Sequence, residues 1–306
     1  MSPLATTLTV SALVVGGLCV ALVPSRPIAR WSERQYRHAA TLRVLVVATG
    51  AVMALFAVIC LCEGSSDGLF HSLTAVAAVL LLLIGLMLPG LQRRPAVPLR
   101  HRRILAIGAH PDDLELACGA TLAKLIDDGH EVMSLVLSDG ASGGNAAKRV
   151  REAEVAGEYL GMIPTVYTYC DTQLDTQERE LVAVIERHIA QFAPDVIVTH
   201  SANDYHQDHV AVHRATMRAA RKQPTILCFE SPSTTPEFSP RFFVDVRGYL
   251  NIKVNAITLH HDQLGKPYMG GDRARSTAVF RGGQGRLEFA EGFEVVRMQA
   301  ESVGGV

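Results

Sequence analysis

The stretch AIGAHPDDLELACG, Ala106 to Gly119, leaves an apolar run through Gly108 and Ala109, sets down a histidine, a proline and two adjacent aspartates, and then resumes an apolar pattern. Pro111 disfavours a helical backbone at His110. The segment therefore reads as strand, turned loop, helix. Burying Asp112 and Asp113 beside His110 is costly, because desolvation and mutual repulsion both disfavour the charged carboxylates. A positive charge is needed next to them.

Working outward, Ile104–Ala109, Val132–Leu137, Thr165–Tyr169, Asp195–Thr199 and Thr225–Phe229 are short apolar or β-branched runs, the pattern of buried strands. Helix-like stretches alternate with them: Leu114–Asp128 before Gly129, Ala146–Leu160 before Gly161, Thr176–Phe192 and His209–Arg221. A glycine after the last periodic residue is a helix stop signal. The alternation predicts an α/β fold, a Rossmann-like mainly parallel sheet with helices on both faces. Ligands of such sheets bind beyond the carboxyl ends of the strands. His110 to Asp113, SDGASGG (Ser138 to Gly144) and HSANDYHQDH (His200 to His209) all fall there. SDGASGG lacks a Walker-type lysine and reads as a flexible turn that lines a pocket. The charges along Lys148 to Glu158 read as a solvated helix face. Gly265 to Gly285, rich in Gly and Arg, reads as a mobile surface loop, with a lid over an anionic or sugar substrate as the alternative.

Upstream the chain changes character. Residues 4–23, 44–62 and 73–91 are apolar runs without Asp, Glu, Lys or Arg, each about the ~20 residues that cross a bilayer. They predict an N-terminal bundle of three transmembrane helices over residues 1–92, a linker over 93–101 and a separate α/β domain over 102–306. Met1 to Leu8 carries no Lys or Arg, and no small-residue cleavage site follows Val23, so the first run reads as retained. Arg26, Arg30, Arg34 and Arg37 follow the first run, and Arg93, Arg94, Arg100, Arg102 and Arg103 follow the third, while Glu63 to His71 has acids but no Lys or Arg. By the positive-inside rule the N-terminus faces outward and the domain after Leu91 is cytoplasmic. The net charge of -1 points away from nucleic acid. The six cysteines form no disulfide or zinc-knuckle spacing, and Cys118 and Cys228 read as small core residues.

His110 and Asp113, three residues apart, offer two ligands to one ion, and His209 offers a third. Two histidines and one carboxylate with an open position make a catalytic zinc arrangement, also compatible with iron(II). Asp112 is then free to accept a proton from water on the metal. The plain alternative is that Asp112 or Asp113 caps the helix beginning near Leu114. His213, one turn beyond His209, reads as an ordinary hydrogen-bonded histidine.

The residues from about Arg103 to Met298 resemble the PIG-L/LmbE-like family of zinc-dependent N-acetyl-sugar deacetylases. The resemblance rests on AHPDDLELACGATLAKL with GHEV, on LSDG, and on Arg149-x-x-Glu152 leading to Leu160-Gly161. It continues through PDVIVTH and DYHQDH, then more weakly through Lys253 to His261 with Gln263, Arg281-Gly282 and FAEGF at Phe289 to Phe293. It implies zinc on His110, Asp113 and His209 and a general base at Asp112. It further implies that His206 polarises the scissile carbonyl or stabilises the oxyanion, with Asp208 orienting it. Asp204 and Tyr205 receive no role. The expected activity is a membrane-anchored hydrolase that removes acetyl from an N-acetylated sugar or glycoconjugate, free or lipid-linked, by attack of a zinc-bound water. The alternatives are an amidase or esterase acting on another acyl group, and a non-catalytic membrane-tethered metal-binding domain. Substrate identity and oligomeric state are not written in these motifs.

Overall fold

The computed structural model of the chain describes residues 3–63, 68–93 and 101–299; residues 94–100, most of the expected linker, lie outside them. The chain divides into two units, Met1–Arg94 and Pro95–Val306.

The first unit contains α1 (Pro3–Leu22), α2 (Arg26–Gln35), α3 (Ala39–Glu63) and α4 (Gly68–Leu91). Within α1, α3 and α4, the segments Ala5–Leu22, Ala39–Cys62 and His71–Leu91 are long and apolar enough to cross a membrane, with mean hydropathies of 2.0, 2.8 and 2.4. Their large aliphatic side chains, such as Leu82 and Leu86, are largely exposed. Helices α3 and α4 begin at Ala39 and Gly68, ahead of the expected residues 44 and 73, so each takes in one further turn before the apolar run. The arginine-rich connection between the first two apolar runs is the amphipathic helix α2. It is anchored on α3 by Arg43, which donates to Glu33 Oε1 (2.9 Å), Ser32 Oγ (2.6 Å) and Ala29 O (3.2 Å). Arg37 N donates to Leu91 O and Arg93 N to Gln35 O, each at 2.9 Å. The end of α4 and the start of α3 therefore lie at the same end of the bundle as α2.

The second unit is built as the alternation predicts. Strands β1 (Arg103–Gly108), β2 (Glu131–Ser138), β3 (Pro164–Tyr169), β4 (Val196–His200) and β5 (Thr225–Phe229) alternate with α5 (Asp113–Asp127), α6 (Ala146–Leu160), α7 (Glu178–Phe192) and α8 (Gln207–Ala219). After β5 come β6 (Phe242–Asp245), α9 (Leu250–Ile257), α10 (Gly271–Gly285) and β7 (Ala290–Arg297). The strands form one seven-stranded sheet in the order β3-β2-β1-β4-β5-β7-β6. Strands β1 to β5 run parallel, while β7 is antiparallel to both β5 and β6. Leu105 and Ile107 of β1 enter the core layer shared with α7 and α8; Ile104 and Ala106 enter the layer shared with α5 and α9. Helices thus cover both faces.

The mainly parallel sheet is as expected, but two of its strands went unread and one expected loop is absent. The antiparallel pair β6 and β7 lacks the helix-alternating signature that marked the other strands. Gly265 to Gly285 is not a loop: it contains a 3-10 turn, Pro267–Met269, and α10. Gly282 lies within α10 because a Cβ there would stand 2.6 Å from Glu288 O. Its small size serves close packing.

Helices α1 and α3 also meet through small residues, as membrane helices do. A Cβ on Gly16 would lie 2.5 Å from Gly50 O, whereas one on Gly17 would meet nothing within 4 Å. Gly16→Leu is expected to destabilise the detergent-solubilised chain by about 1–3 kcal/mol through overpacking. Gly17→Leu should leave the thermal midpoint unchanged, and comparing the two midpoints checks the α1–α3 contact.

Candidate active site

The carboxyl ends of β1, β2, β3 and β4 bring four loops together. Behind β1 the chain turns at Asp112, whose φ of 116° is left-handed, an unusual and strained conformation for a residue with a side chain. Asp112 occupies the N-cap position of α5 but its side chain makes no capping bond. Asp113 folds back instead: its Oδ2 accepts Ala109 N (2.9 Å) and His110 N (2.7 Å). Helix capping is therefore not what the Asp112 carboxylate does.

The other oxygen, Asp113 Oδ1, lies 3.4 Å from His209 Nε2, while Oδ2 lies 3.5 Å from His110 Nδ1 and 3.1 Å from His200 Nε2. His209 Nδ1 is bound to Asp204 Oδ2 (2.9 Å). His110 Nε2 lies 3.1 Å from Asp171 Oδ1 and 3.0 Å from Asp208 Oδ2. His206 stacks on His209 with ring centroids 4.5 Å apart and meets His110 edge-on at 4.8 Å. Among the described residues, the groupings tight enough to hold one ion are His110, His206 and His209; Asp113, His200 and His209; and His110, Asp171 and Asp208. The expected set of His110, Asp113 and His209 spans the first two.

Electrostatics sets the charge that each of these groups carries. Burial works against a charge on His209, yet Asp113 and Asp204 push its pKa up to about 9. Burial likewise opposes a charge on His110, but Asp113, Asp171 and Asp208 hold it well above its ordinary value. Asp113 stays well below the carboxylate range, with burial outweighed by His209 and His200. Burial, followed by His209, drives His200 down to about 4, so it is neutral. Burial and the Asp113 charge raise Asp112 to about 6. In this protonation pattern, protons on two imidazoles balance the surrounding acids. Each of those imidazoles has one nitrogen taken by carboxylates and the other facing Asp113, the outer-shell arrangement that orients metal-ligating histidines. The residues fit a divalent cation.

His110, Asp112, Asp113, His206 and His209 line one cavity of about 250 Å³. Asp208 is fully buried behind it and accepts Thr172 N (2.7 Å) and Leu174 N (3.1 Å). Its carboxylate sits on His110 rather than on His206, the residue it was expected to orient. His206 Nδ1 instead accepts the Asp208 backbone N–H (3.3 Å), which leaves Nε2 as the donor. His213 is hydrogen-bonded, as expected, to His200 O (2.9 Å).

Several site residues went unread. Arg149, assigned to a solvated face, is buried and donates to Gly140 O (2.7 Å), Pro111 O (3.0 Å) and Asp112 Oδ2 (3.5 Å). Together with the bond from Ser142 N to Asp171 Oδ2 (2.8 Å) it holds SDGASGG in place, so that segment is a pinned wall. Asp171 follows β3, and the strand-end rule applied to β3 would have found it. Asp204, left without a role, orients His209 and is itself held by Ser231 and Ser233.

A mainly parallel α/β sheet carries a histidine–carboxylate cluster at its strand ends that could hold a metal ion. The family description GlcNAc-PI de-N-acetylase (PIG-L) matches residues 105–220. An uncharacterized deacetylase of Escherichia coli, YaiS, is 38% identical over 170 residues, 53% of this chain and 91% of that protein. A diacetylchitobiose deacetylase of Thermococcus kodakarensis is 27% identical over 230 residues, 64% of this chain and 83% of that protein. The solved N,N'-diacetylchitobiose deacetylase of Pyrococcus horikoshii superposes with a TM-score of 0.54 at 22% identity, covering 64% of this chain and 84% of that one. The chain belongs to the PIG-L family, and is an enzyme of the class that hydrolyses amide C–N bonds.

Two outcomes follow from the cluster. Asp204→Asn should lower zinc affinity about 10–100-fold by releasing His209, as read by competition with a chromophoric chelator. In metal-free protein the raised His209 contributes stability that is fully present below its unfolded pKa near 6.5 and is lost as pH rises toward about 9. Denaturant midpoints should therefore fall between those pH values without metal. Bound zinc should flatten that loss.

Proposed function

We propose that this chain is a membrane-anchored, metal-dependent N-deacetylase that removes acetyl from an N-acetylated sugar or glycoconjugate. The observation that carries the reading is the buried Asp112 beside the convergence of His110, Asp113 and His209. Membership of a de-N-acetylase family and similarity to a diacetylchitobiose deacetylase support the substrate class.

His110, Asp113 and His209 would hold the metal, and zinc is the ion typical of this family. When bound, zinc supplies a Lewis acid that lowers the pKa of water toward ~7 and polarises a carbonyl. Asp112, poised near 6, accepts the proton of the attacking water, a role that typically contributes ~10²–10⁴ in rate. Burial, then the charges of His209 and His110, lowers the His206 pKa, so it remains a neutral donor. Its Nε2–H meets the oxygen that becomes negative as the amide carbon turns tetrahedral, a preorganised interaction of the oxyanion-hole type. Arg149 ties Asp112 and Pro111 to the Gly140 wall, so base and pocket keep their spacing. The products are acetate and a free amine.

The domain plan belongs to the same proposal: a transmembrane bundle over 1–92, a linker over 93–101 and a deacetylase domain over 102–306. Arg26, Arg30, Arg34, Arg37, Arg43 and Arg93 gather at the bundle end shared by α2, the start of α3 and the end of α4, while residues 60–72 at the other end contain no Lys or Arg. This asymmetry supports an outward start for α1 and a cytoplasmic deacetylase domain. Anchoring would keep the cavity near amphiphilic, lipid-linked substrates.

Acetate release from methyl N-acetylglucosaminide and diacetylchitobiose, with and without chelator, tests the chemistry on the full chain. Asp112→Asn should retain bound zinc but lose at least ~10²-fold in turnover. His209→Ala should lose both. Undiminished turnover in either variant would sink the assignment.

A further inference from the structure

A second cavity of about 160 Å³ adjoins the first, with Leu116, Pro232 and Tyr268 lining both. Most of the polar groups in its walls are already committed. Lys253 donates to Glu291 Oε1 (2.6 Å) and Ala117 O (3.1 Å). Arg281 grips Glu230 with two bonds (2.8 and 2.7 Å) and donates to Gln284 Oε1 (2.7 Å). The Ser231 hydroxyl donates to Asp204 and that of Thr234 to Ser231 O.

Arg273 and Thr277 differ. They stand one turn apart on α10, both exposed to solvent, and line the rim of this cavity. Among the described residues, no carboxylate lies within 4.0 Å of the Arg273 guanidinium, and the Thr277 hydroxyl makes no hydrogen bond. With the other two ion pairs internally neutral, the chamber carries one uncompensated positive charge. On the first-cavity side of Tyr268, Lys266 donates to Gly143 O at 3.3 Å and stands over the Tyr268 ring at 5.9 Å, and among the described residues no carboxylate pairs with it. Burial, followed by the Asp112 charge, pushes Tyr268 up to about 12, so the phenol between these two cations stays neutral. A guanidinium fork beside a free hydroxyl suits a planar or tetrahedral oxyanion, which it binds through paired N–H donors.

We propose that the second cavity binds an oxyanion, a phosphate or carboxylate borne by the acylated sugar, with Arg273 and Thr277 as its donors. The sugar part of this assignment rests on the deacetylase reading of the first cavity. The oxyanion part does not. The substrate then spans both chambers across Tyr268, with its acetamide at His110, Asp113 and His209 and its acidic group against α10.

Calorimetric titration of the metal-free full chain in detergent separates the two parts. The probes are inorganic phosphate, N-acetylglucosamine 1-phosphate, N-acetylmuramic acid and methyl N-acetylglucosaminide. Arg273→Ala is expected to weaken binding of the anionic probes about tenfold or more. Arg273→Lys should weaken it less, and binding of the neutral glycoside should be unchanged by either. A response limited to the phosphates or to the carboxylate identifies the group carried. Wild-type affinity of Arg273→Ala for every anionic probe, or no anion binding by the wild type, would overturn the site. Acetate release from the neutral glycoside by the zinc-loaded chain tests the deacetylase reading separately, and its failure would leave the anion titration intact.

Discussion

The cluster at the strand ends is governed by the free energy of buried negative charge. Asp112, Asp113, Asp204 and Asp208 are each at most 8% exposed, and unpaired carboxylates at that depth would be driven to protonate. Positive charge has to be supplied locally, and imidazoles whose spare nitrogens converge on one carboxylate supply it as protons or hand the place to a divalent ion. The left-handed turn at Asp112, the fold-back of Asp113 and the pinning of Gly140 by Arg149 all serve to hold that arrangement. None of them is an economical way to build a loop for its own sake.

The same constraint separates two neighbouring aspartates into different tasks. Asp113 is surrounded by histidines and backbone N–H groups, which hold it ionised. Asp112 has burial and a like charge beside it, offset only in part by the positive charges of His260, of Arg149 at 3.5 Å and of His110. One carboxylate is thereby kept as a fixed charge and the next as a proton acceptor near neutrality. A pair of titratable groups pushed apart by environment is the usual physical basis for assigning acid and base.

Outside the cluster, the fold assigns duties that composition conceals. Glycine and arginine between Gly265 and Gly285 suggested mobility, yet α10 packs Gly282 against the Glu288 backbone and turns Arg273 and Thr277 toward a cavity. Arg149 looked like a solvated charge because its neighbours on α6 are; its own face of the helix is the buried one. Helix α2 was hidden among arginines whose charge identified a membrane side but not a conformation.

By itself the sequence determined what short-range periodicity and spacing encode: the strand–helix alternation, the parallel core of the sheet, the apolar N-terminal runs, and the placement of His110, Asp112, Asp113, His206, Asp208 and His209 at strand ends. Tertiary structure alone decided which histidine meets which carboxylate. His110 and Asp208 are 98 residues apart and His200 and Asp113 are 87 apart, so no local pattern specifies their pairing. It also decided that Asp208 serves His110, that Asp171 and Arg149 enter the site, that β6 and β7 close the sheet antiparallel, and that a second chamber opens beside the first. Each of these depends on which surfaces are brought together when the two core layers close over the sheet, and burial of that kind is a property of the packed chain.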